Sequence, residues 1–87
     1  MKSVVTIYTK RGCHLCDVAK TNILAAASGR EFTLEEIDIE TDEQLYARYR
    51  YDIPVVLING IKAFKHSVDV KEFKRKLERL AEKNNKS

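Results

Sequence analysis

The chain has little of what several functional classes require. Its three glycines are scattered singly, aromatic residues make up only 8% of it, and there is neither an aromatic platform nor an arginine-rich arm, so the usual features of a nucleic-acid surface are missing. No stretch approaches the roughly 20 apolar residues that a bilayer-spanning helix needs. The opening MKSVVTIYTK has one early lysine and an apolar run too short for the core of a signal peptide. No membrane contact is therefore expected, and the expected compartment is the cytoplasm. Charge of one sign is also scarce. The net charge is only +3, and the basic residues of VKEFKRKLERLAEKNNK alternate with Glu72, Glu78 and Glu82, as on a solvated helix face.

What remains is 87 residues, 44% hydrophobic and 33% charged, without repeat, linker or low-complexity segment. That length closes one modest core, so one domain over residues 1–87 is expected, with a frayed tail at 84–87.

The apolar pattern predicts the order βαβ, then α, then a ββ hairpin, then α. VVTIY, residues 4–8, is β-branched and aromatic nearly throughout, as in a central strand. Leu15, Val18, Ala19, Ile23 and Ala26 follow at the one-face spacing of a helix, with Gly29 as its stop. A second strand runs from about Phe32 to Ile39, its alternation changing phase between Leu34 and Ile37, through either a bulge or burial on both faces. Thr41 with Gln44 reads as a capping box for a short helix through Leu45 and Tyr49. IPVVLI, residues 53–58, then meets Asn59-Gly60, a strong hairpin signal, and IKAF pairs back. Asp69 and Glu72 open a last helix that buries Val70, Phe73, Leu77 and Leu80. A right-handed βαβ unit plus an antiparallel hairpin gives an α/β fold, a four-stranded mixed sheet with helices on both faces.

Both cysteines lie in YTKRGCHLCD, and in a reducing compartment such a pair is catalytic or metal-binding rather than a structural staple. Cys13 falls at the start of the first helix, where unpaired backbone N–H groups and the positive end of the dipole stabilise a thiolate. Lys10 and Arg11 add favourable charge and Asp17 opposes it. Cys16 lies one helical turn on, beside Cys13. The chemistry that fits is thiol–disulfide exchange, with Cys13 attacking a substrate disulfide and Cys16 resolving the mixed disulfide. A zinc site or an iron–sulfur cluster needs about four ligands, and one CxxC with His14 and His66 does not supply them within the chain, so no metal ligands are assigned. The alternative is a redox-inert or cluster-bridging binding module. His14 is either a proton shuttle or electrostatic helper or, as the simpler reading, a partly exposed side chain that tunes the potential of the pair, and Leu15 is a core or contact residue. Pro54, the one proline, would be trans on general grounds.

Taken together, IYTKRGCHLCDVAK, EEIDI, YDIPVVLING and the closing helix resemble the glutaredoxin-like proteins of the thioredoxin fold, over essentially the whole chain, and specifically a small subfamily with a CHLC site. The resemblance implies a cis Pro54 facing the dithiol, and an Ile53 backbone that pairs with a substrate peptide or glutathione in strand fashion. It implies that Lys10 lies near the reactive thiol. Arg11 stands where a proline is common. The hairpin exit reads KHSVDV, where glutaredoxins carry two glycines that help to hold glutathione, so Lys65 and His66 are the residues offered to a substrate carboxylate. The expected protein is a monomeric disulfide oxidoreductase without a bound cofactor. Its partners would be protein or small-thiol disulfides and a reductant, either glutathione or a thioredoxin-reductase-like system.

Overall fold

The computed structural model describes residues 3–26 and 32–85, the last five by their backbone alone. The elements are β1 (Ser3–Thr9), α1 (His14–Ala25), β2 (Phe32–Asp38), a 3-10 turn (Ile39–Thr41), α2 (Glu43–Tyr49), β3 (Val55–Ile58), β4 (Ile61–Lys65) and α3 (Val70–Asn85). The order expected from the sequence is therefore the observed one. Gly29 lies outside the described residues. Helical backbone continues to Asn85, inside the segment where a frayed tail is expected; residues 86–87 are not described.

The four strands form one mixed sheet in the order β2-β1-β3-β4. β1 runs parallel to β2 and antiparallel to β3, and β3 pairs antiparallel with β4. Because strand side chains alternate, β1 and β3 feed two cores. Val5, Ile7, Val56 and Ile58 pack with Ala19 and Ile23 of α1 and with Phe73 and Leu77 of α3. Tyr8, Val55 and Leu57 point the other way, onto Ile39 and onto Leu45 and Tyr49 of α2. Each such fully buried Val, Ile or Phe contributes about 1.5–3 kcal/mol of transfer free energy.

The phase change in β2 has the same cause. Phe32 and Leu34 pack on the first core and Ile39 on the second, while the β1–β2 register runs unbroken from Ser3↔Phe32 to Thr9↔Asp38. The change is burial on both faces, without a bulge between those strands.

Two local expectations are corrected. In α1 the buried residues are Cys16, Ala19 and Ile23, continued by Ala26 at its C-cap, whereas Leu15 and Val18 are 53% and 42% exposed. Turning Cys16 towards the sheet sets the buried face at spacings of three and four residues, and Leu15 and Val18 then fall to its side. Leu15 is thus not a core residue. The cap of α2 is Asp42, whose carboxylate accepts from the N–H groups of Gln44 and Leu45 at 2.8 and 3.2 Å. Thr41 instead closes the preceding 3-10 turn, its hydroxyl donating to the Asp38 carbonyl at 2.7 Å. The last helix opens as expected, with Asp69 accepting from the Glu72 N–H at 2.9 Å.

The Asn59-Gly60 hairpin has φ of 52° and 82° at its two central residues, the positive values that a type I′ turn requires. Asn59 also sews the turn to β1. Its amide oxygen accepts from the Val4 N–H at 2.9 Å, and its own N–H donates to the Val4 carbonyl at 2.8 Å.

Candidate active site

The site forms where β1 ends and α1 begins. The Cys13 N–H donates to the Lys10 carbonyl at 3.2 Å, closing a turn in which Gly12 takes φ 79°, a value reached most easily without a side chain. In that turn Arg11 occupies the second position, where a fixed proline φ is favoured, which accounts for the proline commonly found there. Cys13 then caps α1 in extended conformation, and its Sγ accepts from the Cys16 N–H at 3.3 Å.

Both cysteines are free thiols. Cys13 is half-buried and Cys16 almost wholly buried, at 3% exposure. Cys16 donates its S–H to Cys13 Sγ, with the two sulfurs 2.6 Å apart. Burial first, and then the bond to Cys13, push the Cys16 thiol up to about 12, against a backbone hydrogen bond from Lys10 that lowers it. The two sulfurs therefore have different environments. Cys13 receives two donors at a helix start, and Cys16 holds its proton in the protein interior.

The other expected site residues gather at the same end of the sheet. Tyr8 pairs with Val55, so Pro54 stands across from the end of β1, beside the loop that carries Cys13. The Ile53–Pro54 peptide is cis, as the resemblance implies and general proline statistics do not. Lys10 extends its ammonium over the ring of Tyr46, 5.9 Å from the centroid, which ties the cysteine loop to α2. Tyr46 was not singled out from the sequence; a cation and an aromatic 36 positions apart leave no local signal.

Two expectations about this wall change. The Ile53 N–H already donates to the Tyr49 carbonyl at 3.1 Å, so strand-like pairing through both backbone groups of Ile53 is not available without releasing that bond. The cause is the end of α2, whose Tyr49 carbonyl accepts from the N–H groups of both Asp52 and Ile53, at 2.8 and 3.1 Å. The Ile53 carbonyl has no such partner among the described residues. His66, where a glycine is absent, takes the left-handed conformation regardless, with φ 74°. Its backbone N–H donates to the carbonyls of Pro54 and Asp52 at 2.8 and 3.2 Å. Lys65 and His66 are both exposed, Lys65 as the last residue of β4.

On the opposite side of the loop is a cavity of about 330 Å³, bounded by residues 10–12, by Cys16 and Asp17 of α1, and by Glu36 and Asp38 of β2. It borders Cys16 and not Cys13. The parallel pairing of Thr9 with Asp38 brings the end of EEID beside the cysteine loop, so the crossover topology was the signal that could have located these carboxylates. Among the described residues, no group of three or more His, Cys, Asp or Glu side chains is arranged to hold a metal ion, and no helix is long and apolar enough to cross a membrane.

The model of the glutaredoxin-like domain family (DUF836) matches residues 4–78, and the chain belongs to that family. It is 37% identical over 71 residues to the glutaredoxin-like protein YDR286C homolog of Dictyostelium discoideum, an alignment that takes in 75% of this chain and 66% of that protein. It thus spans just under two thirds of the relative's length. Among solved structures it is similar to protein XcR50 of X. campestris, with a TM-score of 0.74 at 24% identity over 86% of this chain and 96% of that one. Thioredoxin 1 of Thermosipho africanus superposes with a TM-score of 0.64 at 18% identity, over 94% and 98% of the two chains. The fold is the thioredoxin fold.

Proposed function

We propose that the protein is a dithiol thiol–disulfide oxidoreductase, acting on protein or low-molecular-weight disulfides in the cytoplasm. The observation that carries this reading is the unequal cysteine pair: a half-buried Cys13 that accepts two hydrogen bonds at the start of α1, and a buried Cys16 that donates one of them. Donors aimed at Cys13 Sγ stabilise the thiolate that attacks, and Cys16 is held within reach to displace the substrate. Cys13 is the nucleophile and Cys16 the resolving thiol. Lys10, the Ile53 carbonyl, Pro54 and His66 form the wall offered to the substrate disulfide, which leaves as two thiols while Cys13 and Cys16 end as an intramolecular disulfide. Glutathione is a candidate reductant or substrate, and a monomer suffices for the step.

The test is a pair of single variants assayed with an insulin disulfide and with a glutathione mixed disulfide. Cys13→Ser abolishes turnover of both, and Cys16→Ser accumulates a covalent adduct whose mass increases by one substrate thiol. Wild-type turnover by Cys13→Ser would overturn the assignment.

A further inference from the structure

Among the described large apolar side chains Tyr51 is the most exposed, at 78%, and neither core includes it. Its ring lies against the Arg50 guanidinium, whose Cζ is 4.7 Å from the centroid. Arg50 also lies over Tyr46, at 5.8 Å, and Tyr46 carries the Lys10 ammonium at 5.9 Å. Cations and rings thus alternate from the cysteine loop, across α2, to Tyr51. Both ends of this strip meet the dithiol site: the Lys10 carbonyl accepts from the Cys13 N–H, and Tyr51 precedes Ile53 by two residues. The dipole of α2 favours cations at its C-terminal end, which explains a positive charge at Arg48 and Arg50 but not an exposed tyrosine at 51.

The charge of the strip is unmatched. Among the described residues neither Lys10 nor Arg50 has a side-chain hydrogen bond or a carboxylate partner. A cation held over a ring keeps its N–H donors for another group, and its side chain is already partly ordered, so less freedom is lost when an anion arrives. Nearby carboxylates are placed elsewhere: Asp42 and Glu43 stand at the far end of α2, and Asp52 is half-buried at the turn into Ile53. Across the loop the sign reverses, with Asp17, Glu36 and Asp38 bounding the cavity on the β2 side. An acidic chain is attracted to one side of Cys13 and repelled from the other.

We propose that this strip docks an acidic segment of a protein partner, next to the disulfide that Cys13 attacks. The proposal rests on the dithiol reading above and names its substrate class, proteins whose reactive disulfide is flanked by Asp or Glu. Three successive cation–ring spacings follow a path matched by up to roughly four or five residues of extended chain. Carboxylates of the segment pair with the open donors of Arg50 and Lys10, and Tyr46 and Tyr51 give its apolar stems a surface. Tyrosine and arginine are the residue types that most often anchor protein interfaces. The chemical step stays that of the dithiol, and the strip acts on binding.

The experiment measures single-turnover reduction, by the pre-reduced protein without glutathione, of three disulfide-bridged peptides that differ only in four flanking residues, all Glu, all Gln or all Lys. At low salt the wild type reduces the Glu peptide about tenfold faster than the Gln peptide, and the Lys peptide more slowly than either. Salt at about 0.5 M narrows the Glu-to-Gln ratio to about twofold, as screening requires. Arg50→Gln combined with Tyr51→Ala lowers that ratio below about threefold at low salt. Lys71→Gln, a charge removed from an exposed position on α3, packed against the other face of the sheet, keeps it near tenfold. Equal rates for the Glu and Gln peptides, a ratio unchanged in the double variant, or one that Lys71→Gln lowers as much, overturns the proposal and leaves the dithiol reading intact. Failure of the folded, reduced wild type to reduce any of the three overturns both.

Discussion

The backbone N–H of His66 meets the carbonyl of Pro54 at 2.8 Å while His66 itself holds φ 74°. The loop after β4 thereby fixes the cis-proline segment without the two glycines that the resemblance to glutaredoxins leads one to expect at this place. Histidine is among the residues that tolerate the left-handed region best, yet it still pays roughly 1–2 kcal/mol there. His66→Gly is expected to raise stability by about 0.5–1 kcal/mol, the relief of strain exceeding the extra chain entropy of glycine. His66→Val is expected to lower it by about 1–2 kcal/mol, since a branched Cβ fits that region worst. Urea midpoints of the three proteins, with equal slopes, check both directions; His66→Val as stable as wild type counts against the strain.

Asn59 provides a second separation of backbone from side chain. It needs positive φ, and its amide also holds Val4 and Ser3 of the neighbouring strand. Asn59→Gly keeps the turn and loses those bonds, an expected cost of about 1–2 kcal/mol. Asn59→Ala loses the bonds and adds left-handed strain, for about 1 kcal/mol more. Chemical denaturation that ranks glycine and alanine equal would show that the backbone term is absent.

The end of β2 shows how far the sequence could be followed. Element order and sheet composition were legible because apolar spacing repeats along each segment, and the hairpin because Asn-Gly has few other uses. The cap of α2 was not. Thr41 and Asp42 are adjacent, both suit the role, and only the 3-10 turn after β2 decides that Thr41 faces back to Asp38. Asp42→Ala is expected to cost about 1 kcal/mol and Thr41→Ala about half of that or less. Thermal unfolding of both variants compares them, and a larger loss for Thr41→Ala would restore the capping box.

The same limit applies at the site. Cys13 and Cys16 stand in a local motif at a helix start, so their asymmetry follows from position alone. Asp17, Glu36 and Asp38 converge only through the parallel register of β1 and β2, and Lys10 meets Tyr46 only through packing of α2. Contacts between segments far apart in sequence leave no spacing to read. The orientation of Leu15 was lost for a related reason: an apolar residue beside a cysteine gives no sign of which one the sheet receives.

Burial of Cys16 should be visible in the pH dependence of stability. Its thiol rises from an ordinary 9.0 to about 12 in the folded, reduced protein, chiefly because the interior disfavours the thiolate. Below about 9 both folded and unfolded chains keep the proton, and Cys16 adds no pH dependence there. Between 9.0 and about 12 the unfolded chain releases the proton and the folded one retains it, so the folded state binds more protons and stability falls as pH rises. At about 1.4 kcal/mol per unit the loss approaches 4 kcal/mol at the upper end. Cys16→Ala removes the titrating group, so its stability should decline less over the same interval, as should that of the oxidised protein. Guanidinium unfolding of the reduced wild type and of Cys16→Ala at intervals from pH 8 to 11 measures the difference. Parallel curves would mean that the folded protein lets Cys16 ionise freely, and the cavity beside it would then be wet enough to hold the charge itself.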